Sequence, residues 1–175
     1  QGLMSTWLGL DIGSRTVKVV LIDGAGSIIA RALAPAGYDG PSVAGELIAG
    51  ACAEAGVERR LVRASVVTGY GRVRFAQADS EASEITCHAR GARHLVPAAR
   101  TVIDIGGQDS KVIALDEAGR VSDFAMNDRC AAGTGRFLEM VAQRLGVALE
   151  DLGELAGRAA QPAAISSMCV VFAET

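Results

Sequence analysis

Apolar and polar residues alternate along the opening of the chain in three short runs. Leu8–Asp11 and Val17–Asp23 read as strands joined by a hairpin over Gly13–Thr16. Ser27–Leu33 reads as a third strand, after the turn Asp23-Gly-Ala-Gly26. Beyond a loop from Pro35 to Pro41 the period changes. Val43, Leu47, Ile48 and Ala51 recur at helical spacing, which predicts a helix capped by Ser42 and stopped near Gly56. Arg63–Thr68 is an apolar strand that runs into Gly69-Tyr70-Gly71. Ser80 opens a second helix to about His94, and Pro97 marks a crossover. Three more strands follow, over Thr101–Ile105, Lys111–Asp116 and Arg120–Met126. A helix starting at or just after Cys130 carries the apolar stripe Phe137, Leu138, Val141 and Leu145 and stops at Gly146, and Leu149–Arg158 is a shorter helix.

The second set of strands repeats the first. Asp104-Ile105-Gly106 answers Asp11-Ile12-Gly13, Lys111-Val112 answers Lys18-Val19, and Asp116, Ala118 and Gly119 answer Asp23, Ala25 and Gly26. The offset is a constant 93 residues, and 8 of the 16 positions from Asp11 to Gly26 are identical. An internal duplication explains this best. It divides the chain into two like domains, residues 7–97 and 98–175, each with an Asp at the end of a strand and a glycine hairpin behind it.

Such hairpins suit phosphate. Gly13, Gly106 and Gly107 allow backbone conformations that other residues avoid, and their bare backbone lets N–H groups approach an anion. Ser14 and Thr16 add hydroxyl donors, Gln108 lies at the tip of the second turn, and Lys18 or Lys111 can add a cation. Asp11 and Asp104 are carboxylates at a phosphate site. They make sense there with a divalent metal such as Mg2+ between them and the phosphates.

Composition narrows the remaining classes. Hydrophobic residues make up 50% of the chain and aromatics 4%, so the core is built from Val, Ile, Leu and Ala, as in a helix-covered α/β fold. A net charge of -3 leaves no basic footprint for nucleic acid. No apolar run is long enough for a membrane span, and no stretch reads as a signal peptide, so neither is expected. Gln1-Gly2 reads as a purification scar ahead of a natural start at Met4. Cys52, Cys87, Cys130 and Cys169 are far apart with no Cys-x-x-Cys, which points to a reducing, cytoplasmic setting rather than a disulfide scaffold. By spacing alone each cysteine is an ordinary small buried residue. Cys130 and Cys169 differ in context, because each precedes an expected helix start, where free N–H groups and the helix dipole favour a thiolate able to ligate a soft metal.

The segments Thr68-Gly-Tyr-Gly-Arg72, Ser83-Glu-Ile-Thr-Cys-His-Ala89, Asp104-Ile-Gly-Gly-Gln-Asp-Ser-Lys111, Asn127-Asp-Arg-Cys-Ala-Ala-Gly-Thr-Gly135 and Cys169-Val-Val-Phe-Ala-Glu174 carry a resemblance. The paired hairpins resemble the phosphate motifs of the actin, Hsp70 and hexokinase superfamily. The longer segments are similar to the ATPase activators of 2-hydroxyacyl-CoA dehydratases and the ATPase subunits of benzoyl-CoA reductase, the BadF/BadG/BcrA/BcrD type. The resemblance implies two ribonuclease-H-like lobes, the second truncated at residue 175. It implies ATP or ADP with Mg2+ at the hairpins, and Glu84 as the residue that orients the attacking water. It also implies one [4Fe–4S] cluster per homodimer, ligated by Cys130 and Cys169 of each chain. The expected activity is electron transfer from that cluster to an iron–sulfur dehydratase or reductase, driven by ATP and fed by a low-potential ferredoxin or flavodoxin. Two alternatives use fewer of these residues. A small-molecule kinase of the same superfamily needs the hairpins, with Asp104 as base, but neither cysteine; a non-catalytic iron–sulfur module needs the cysteines alone. In this reading His88 is structural, since adjacent Cys87 and His88 face different sides of a helix.

Overall fold

The computed structural model describes residues 5–163, so Cys169 lies outside the described residues. The chain divides into two compact units between Cys87 and His88. The division falls inside a helix, whereas sequence punctuation places it at Pro97.

The first unit is built on β1 (Thr6–Ile12), β2 (Thr16–Ile22), β3 (Ile28–Pro35), β4 (Val62–Thr68) and β5 (Ser80–Glu81), in the order β3-β2-β1-β4-β5. The first three strands are antiparallel, and β4 and β5 add in parallel. Alternation decides which face is buried. Leu8, Leu10 and Ile12 of β1 and Val17, Val19 and Leu21 of β2 all turn inward. Helix α1 (Gly40–Ala55) closes the core over them with Ala44, Ile48, Ala51 and Cys52. Burial raises the Cys52 thiol pKa, which suits a small apolar residue rather than a ligand.

Two helix starts differ from expectation. Asp39, not Ser42, caps α1: its carboxylate accepts from the Ser42 N–H at 3.4 Å, and Pro41 fits the first turn, where an N–H is not needed. Helix α2 (Glu84–Leu95) begins after Ser83, whose hydroxyl accepts from the Thr86 N–H at 3.1 Å. Ser80 and Glu81 are drawn instead into β5, pairing with Val66 and Val67 on the open edge of β4. Both segments offer several polar residues able to cap, and tertiary pairing chooses among them.

Asp79 ties this edge down. Its Oδ2 accepts from the Ser65 N–H at 2.7 Å and the Ser65 hydroxyl at 2.6 Å, while the Asp79 N–H donates to Ser65 Oγ at 3.0 Å. These hydrogen bonds favour the charged form and hold the Asp79 carboxyl below its ordinary value. A depressed folded-state pKa stabilises above the unfolded value, and that stability is lost as pH falls through the folded one. Ser65→Ala is therefore expected to lower the urea midpoint at pH 7 and to narrow the difference in midpoint between pH 7 and pH 3 relative to the parent.

The second unit opens the same way. β6 (Thr101–Ile105), β7 (Ser110–Leu115) and β8 (Val121–Asn127) form an antiparallel sheet in chain order. Its register copies the first: Asp11 faces Lys18 and Asp104 faces Lys111. The next turns also match, with Gly26 at φ 82° and Gly119 at φ 78°, conformations that call for glycine. What covers the sheets differs. The counterparts of buried Leu10, Ile12 and Val19 are Ile103, Ile105 and Val112, which are 71%, 59% and 47% exposed. Among the described residues no helix closes over them as α1 does in the first unit. Helix α3 (Gly135–Leu145) ends at Gly146, as expected, and a 3-10 turn leads into α4 (Leu152–Gly157). Phe137 and Val141 of the predicted stripe are half-buried, while Leu138 and Leu145 are exposed. Among the described residues no helix is long and apolar enough to cross a membrane.

Candidate functional site

Each glycine hairpin is a carboxylate held by its own lysine. In the first, Lys18 Nζ donates to Asp11 Oδ2 at 2.9 Å. Asp11 Oδ1 is buried and has no hydrogen-bond partner, and the same holds for Thr68 Oγ1. Asp11 and Thr68 are register partners on neighbouring strands, so both orphaned atoms belong to one end of the sheet. Gly69 keeps the space around the carboxylate open: at φ +89°, a Cβ there would stand 2.4 Å from Asp11 Oδ1. Leaving a buried acceptor unpaired costs about 1–3 kcal/mol, more for a charged one. A hard divalent cation is the partner that suits a carboxylate oxygen in such a cradle, so these residues fit Mg2+.

The second hairpin is more crowded. Lys111 is only 3% exposed and bridges Asp109 Oδ2 at 2.7 Å and Asp104 Oδ2 at 3.3 Å. His88 Nδ1 lies 3.4 Å from the other oxygen, Asp104 Oδ1. The two aspartates are therefore not equivalent, since Asp104 has partners on both oxygens and Asp11 on one. Both lysines reach carboxylates of their own hairpins.

Glycine is needed here for space. Gly13, Gly106 and Gly107 are not among the positive-φ glycines, against expectation. Gly106 is forced instead by the Asp109 carboxylate, which a Cβ would meet at 2.2 Å. The N–H groups of Gly13 and Gly106 close their own turns, onto Thr16 O at 3.0 Å and Asp109 O at 2.9 Å. The donors left for an anion include the N–H groups of Ser14, Gly107 and Gln108, which reach no protein acceptor among the described residues.

The second hairpin also receives α3. The Gly135 N–H donates to Gly106 O at 2.8 Å and the Arg136 N–H to Gly107 O at 3.1 Å. First-turn N–H groups have no partner within a helix, so the hairpin carbonyls supply what a capping side chain would. The N-cap Thr134 makes no side-chain cap, and its buried hydroxyl donates to Ala131 O at 2.6 Å.

Cys130 does not sit at the start of this helix. The helix begins at Gly135, and Cys130 lies in the loop that leads to Thr134, because Gly133 takes a left-handed turn at φ 74°. The dipole argument for a thiolate therefore does not apply at this position. A different device holds the sulfur. The Ala132 N–H points at Cys130 Sγ at 3.5 Å, and the Asn127 side-chain amide donates to Cys130 O at 3.0 Å and Ala132 O at 3.3 Å. A half-buried thiol facing a backbone donor fits one ligand of an iron–sulfur cluster. Among the described residues no three His, Cys, Asp or Glu side chains converge on a metal site. Glu84 is half-buried in the first turn of α2, one turn before His88. Sequence reasoning takes His88 as structural and does not single out Thr68, Asp109 or Asn127; of these only Asp109 carries a local signal, two residues before Lys111 in the turn.

The sequence profile of the BadF/BadG/BcrA/BcrD ATPase family matches residues 8–175. The chain is 46% identical over 168 residues to the activator of lactoyl-CoA dehydratase of Anaerotignum propionicum, covering 96% of this chain and 64% of that protein. Among solved structures it resembles the activator of the 2-hydroxyisocaproyl-CoA dehydratase from Clostridium difficile with bound ADPNP, at 43% identity and TM-score 0.86, over 97% of this chain and 63% of that one. It also resembles component A of the Acidaminococcus fermentans (R)-2-hydroxyglutaryl-CoA dehydratase, at 41% identity and TM-score 0.89, over 97% and 65%. The chain thus spans a little under two thirds of the length of these relatives. On this evidence the chain belongs to the BadF/BadG/BcrA/BcrD ATPase family.

Proposed function

We propose that the protein is an ATP-dependent reductive activator that passes an electron to an iron–sulfur acyl-CoA dehydratase or reductase. The observation that carries this reading is the pair of hydrogen bonds from Gly135 and Arg136 to the carbonyls of Gly106 and Gly107. They attach the start of α3, and the Cys130 loop just before it, to the hairpin that would hold phosphate. A change at the hairpin therefore has a short covalent and hydrogen-bonded route to the cysteine.

In this reading the fold is a duplicated ribonuclease-H-like lobe, and ATP and ADP bind with Mg2+. Asp11 and Asp104 organise the ion, Asp11 through its unpaired oxygen. Ser14, Gly107 and Gln108 donate backbone N–H groups to phosphate oxygens, within hairpins shaped by Gly13, Thr16 and Gly106. Lys18 and Lys111 fix the carboxylates, Gln108 lies nearest the terminal phosphate, and Glu84 orients the attacking water. Cys130 and Cys169 of two chains would hold one [4Fe–4S] cluster, which supplies a one-electron donor when bound. The homodimer, a ferredoxin or flavodoxin donor and a cytoplasmic location belong to the same proposal.

The test is Mg2+-dependent phosphate release from ATP by the complete protein, without any small-molecule acceptor. Asp11→Asn keeps the side-chain shape and removes the charge that holds the ion. It is expected to lower the rate by about 100-fold or more. Transfer of the terminal phosphate to a small molecule by an iron-free protein would replace this reading with a kinase.

A further inference from the structure

We propose that His88 is a positioning residue for Asp104, holding its carboxylate at the phosphate hairpin. The proposal rests on the nucleotide-binding reading above and adds a residue to it. His88 Nδ1 approaches Asp104 Oδ1 at 3.4 Å, while Lys111 Nζ approaches Oδ2 at 3.3 Å. Lys111 donates to one oxygen and the His88 ring nitrogen stands within ion-pair distance of the other, so turning the carboxylate about its last bond gives up both contacts. Asp104 is 16% exposed, so water does not readily replace a lost donor.

The comparison with the first hairpin isolates what His88 adds. Asp11 and Asp104 occupy the same place in the same register, each facing a lysine. On Asp11 the second oxygen is left without a partner, and on Asp104 that place is taken by His88. The duplicated hairpin has thus acquired a different carboxylate in each copy. One keeps an open oxygen, and the other has a ring nitrogen set against it. An acceptor held in this way serves chemistry that needs a fixed direction, such as aligning a water or an ion-bound water against the terminal phosphate.

The helix that carries His88 supports the assignment. Glu84 and His88 stand four residues apart on α2 and share a face, which places both candidate groups on one rigid element. The neighbouring Ala89 is 2% exposed, so this turn of α2 is packed in place. A purely structural histidine would not need its Nδ1 face on Asp104, the hairpin carboxylate that ends β6 as Asp11 ends β1.

The experiment uses three variants of the complete protein. Asn carries its amide N–H where Nδ1 stands, and Gln carries it nearer the place of Nε2. His88→Ala and His88→Gln are expected to lower the turnover number for ATP hydrolysis by about 10- to 100-fold, and His88→Asn to recover most of it. ADP affinity measured by calorimetry without Mg2+ should stay unchanged in all three. The gain in affinity on adding Mg2+ should shrink in the Ala and Gln variants and return in the Asn variant. Parent-like turnover in His88→Ala, or an Asn variant no better than Ala, overturns the proposal. Asp104→Asn, run in parallel, separates the two levels. If it is inactive while His88→Ala is not, the positioning role fails and the nucleotide reading stands. A parent that neither binds nor hydrolyses ATP overturns both.

Discussion

Cys130→Ser is expected to strip the protein of its iron. A four-iron cluster bridging two chains takes two thiolates from each, so anaerobic reconstitution should load about two irons per chain in the parent. The substitution removes one ligand from every chain and therefore two of the four at once. A serine hydroxyl is a poor substitute, because it stays protonated where a thiol bound to iron does not. The expected result is iron near zero, with the circular dichroism spectrum unchanged. Retention of fold is expected because the loop is held by Asn127 and by the α3 contacts rather than by the sulfur. Cys87→Ser is the matching control and should keep its iron, since that residue lies on α2 rather than in the loop before α3. A Cys130→Ser protein that loads iron like the parent would remove the electron-transfer reading for this chain.

Gly135→Pro is expected to separate nucleotide binding from the cluster. Gly135 is the first residue of α3, the position where proline is best tolerated, since its N–H has no helical partner. The preceding Thr134 has φ -112° and ψ 166°, already compatible with a following proline. The substitution spares the helix, removes the hydrogen bond to Gly106 O at 2.8 Å and places the ring Cδ where that N–H pointed, so the Gly106 carbonyl must also move away. The lost bond contributes about 1 kcal/mol, and the displaced carbonyl adds to the break between helix and hairpin. Iron content and nucleotide affinity should stay close to the parent. The change that nucleotide produces in the spectrum of the reduced cluster should be lost. Gly135→Ala keeps the N–H, and its Cβ would rest 3.4 Å from Gly106 O, so it should behave as the parent. Equal responses in the proline and alanine variants would mean that the route runs elsewhere.

Much of the fold can be read along the chain because two periods are written plainly in it. Thr101–Ile105 is a strand at the residues where alternation places it, and the paired hairpins follow from the repeat at an offset of 93. The repeat also makes the Asp–Lys pairs legible. In an antiparallel hairpin with this register, residues seven apart face each other, as Asp11 and Lys18 do. Helix starts were harder. Ser42 and Ser80 look like caps, but Asp39 and Ser83 do the capping, and a free sheet edge takes Ser80. The start of α3 was misplaced because Ala131-Ala132 reads as helix while Gly133 turns the chain left-handed. The role of glycine at positions 13 and 106 was also misread. Space, beside the Thr16 carbonyl at Gly13 and beside the Asp109 carboxylate at Gly106, is what those positions require rather than a special φ.

The least legible part is the set of contacts between elements distant in sequence. His88 meets Asp104 only because α2 is carried against the second hairpin, and no local pattern encodes that approach. The orphaned oxygens of Asp11 and Thr68 are likewise invisible until β1 and β4 pair. The bonds from α3 to Gly106 and Gly107 join segments some 30 residues apart, with no side chain to announce them. These contacts are the ones on which the functional reading depends.

The central claim is that nucleotide at the Gly106–Gly107 hairpin is felt at the metal held by Cys130. The most direct measurement is the electron paramagnetic resonance spectrum of the reduced, reconstituted complete protein, recorded with and without Mg2+ and ATP. A spectrum that changes with ATP in the parent, and does not change in Gly135→Pro, is the predicted result. An iron-loaded protein that binds ATP and shows the same spectrum in both conditions would contradict the account.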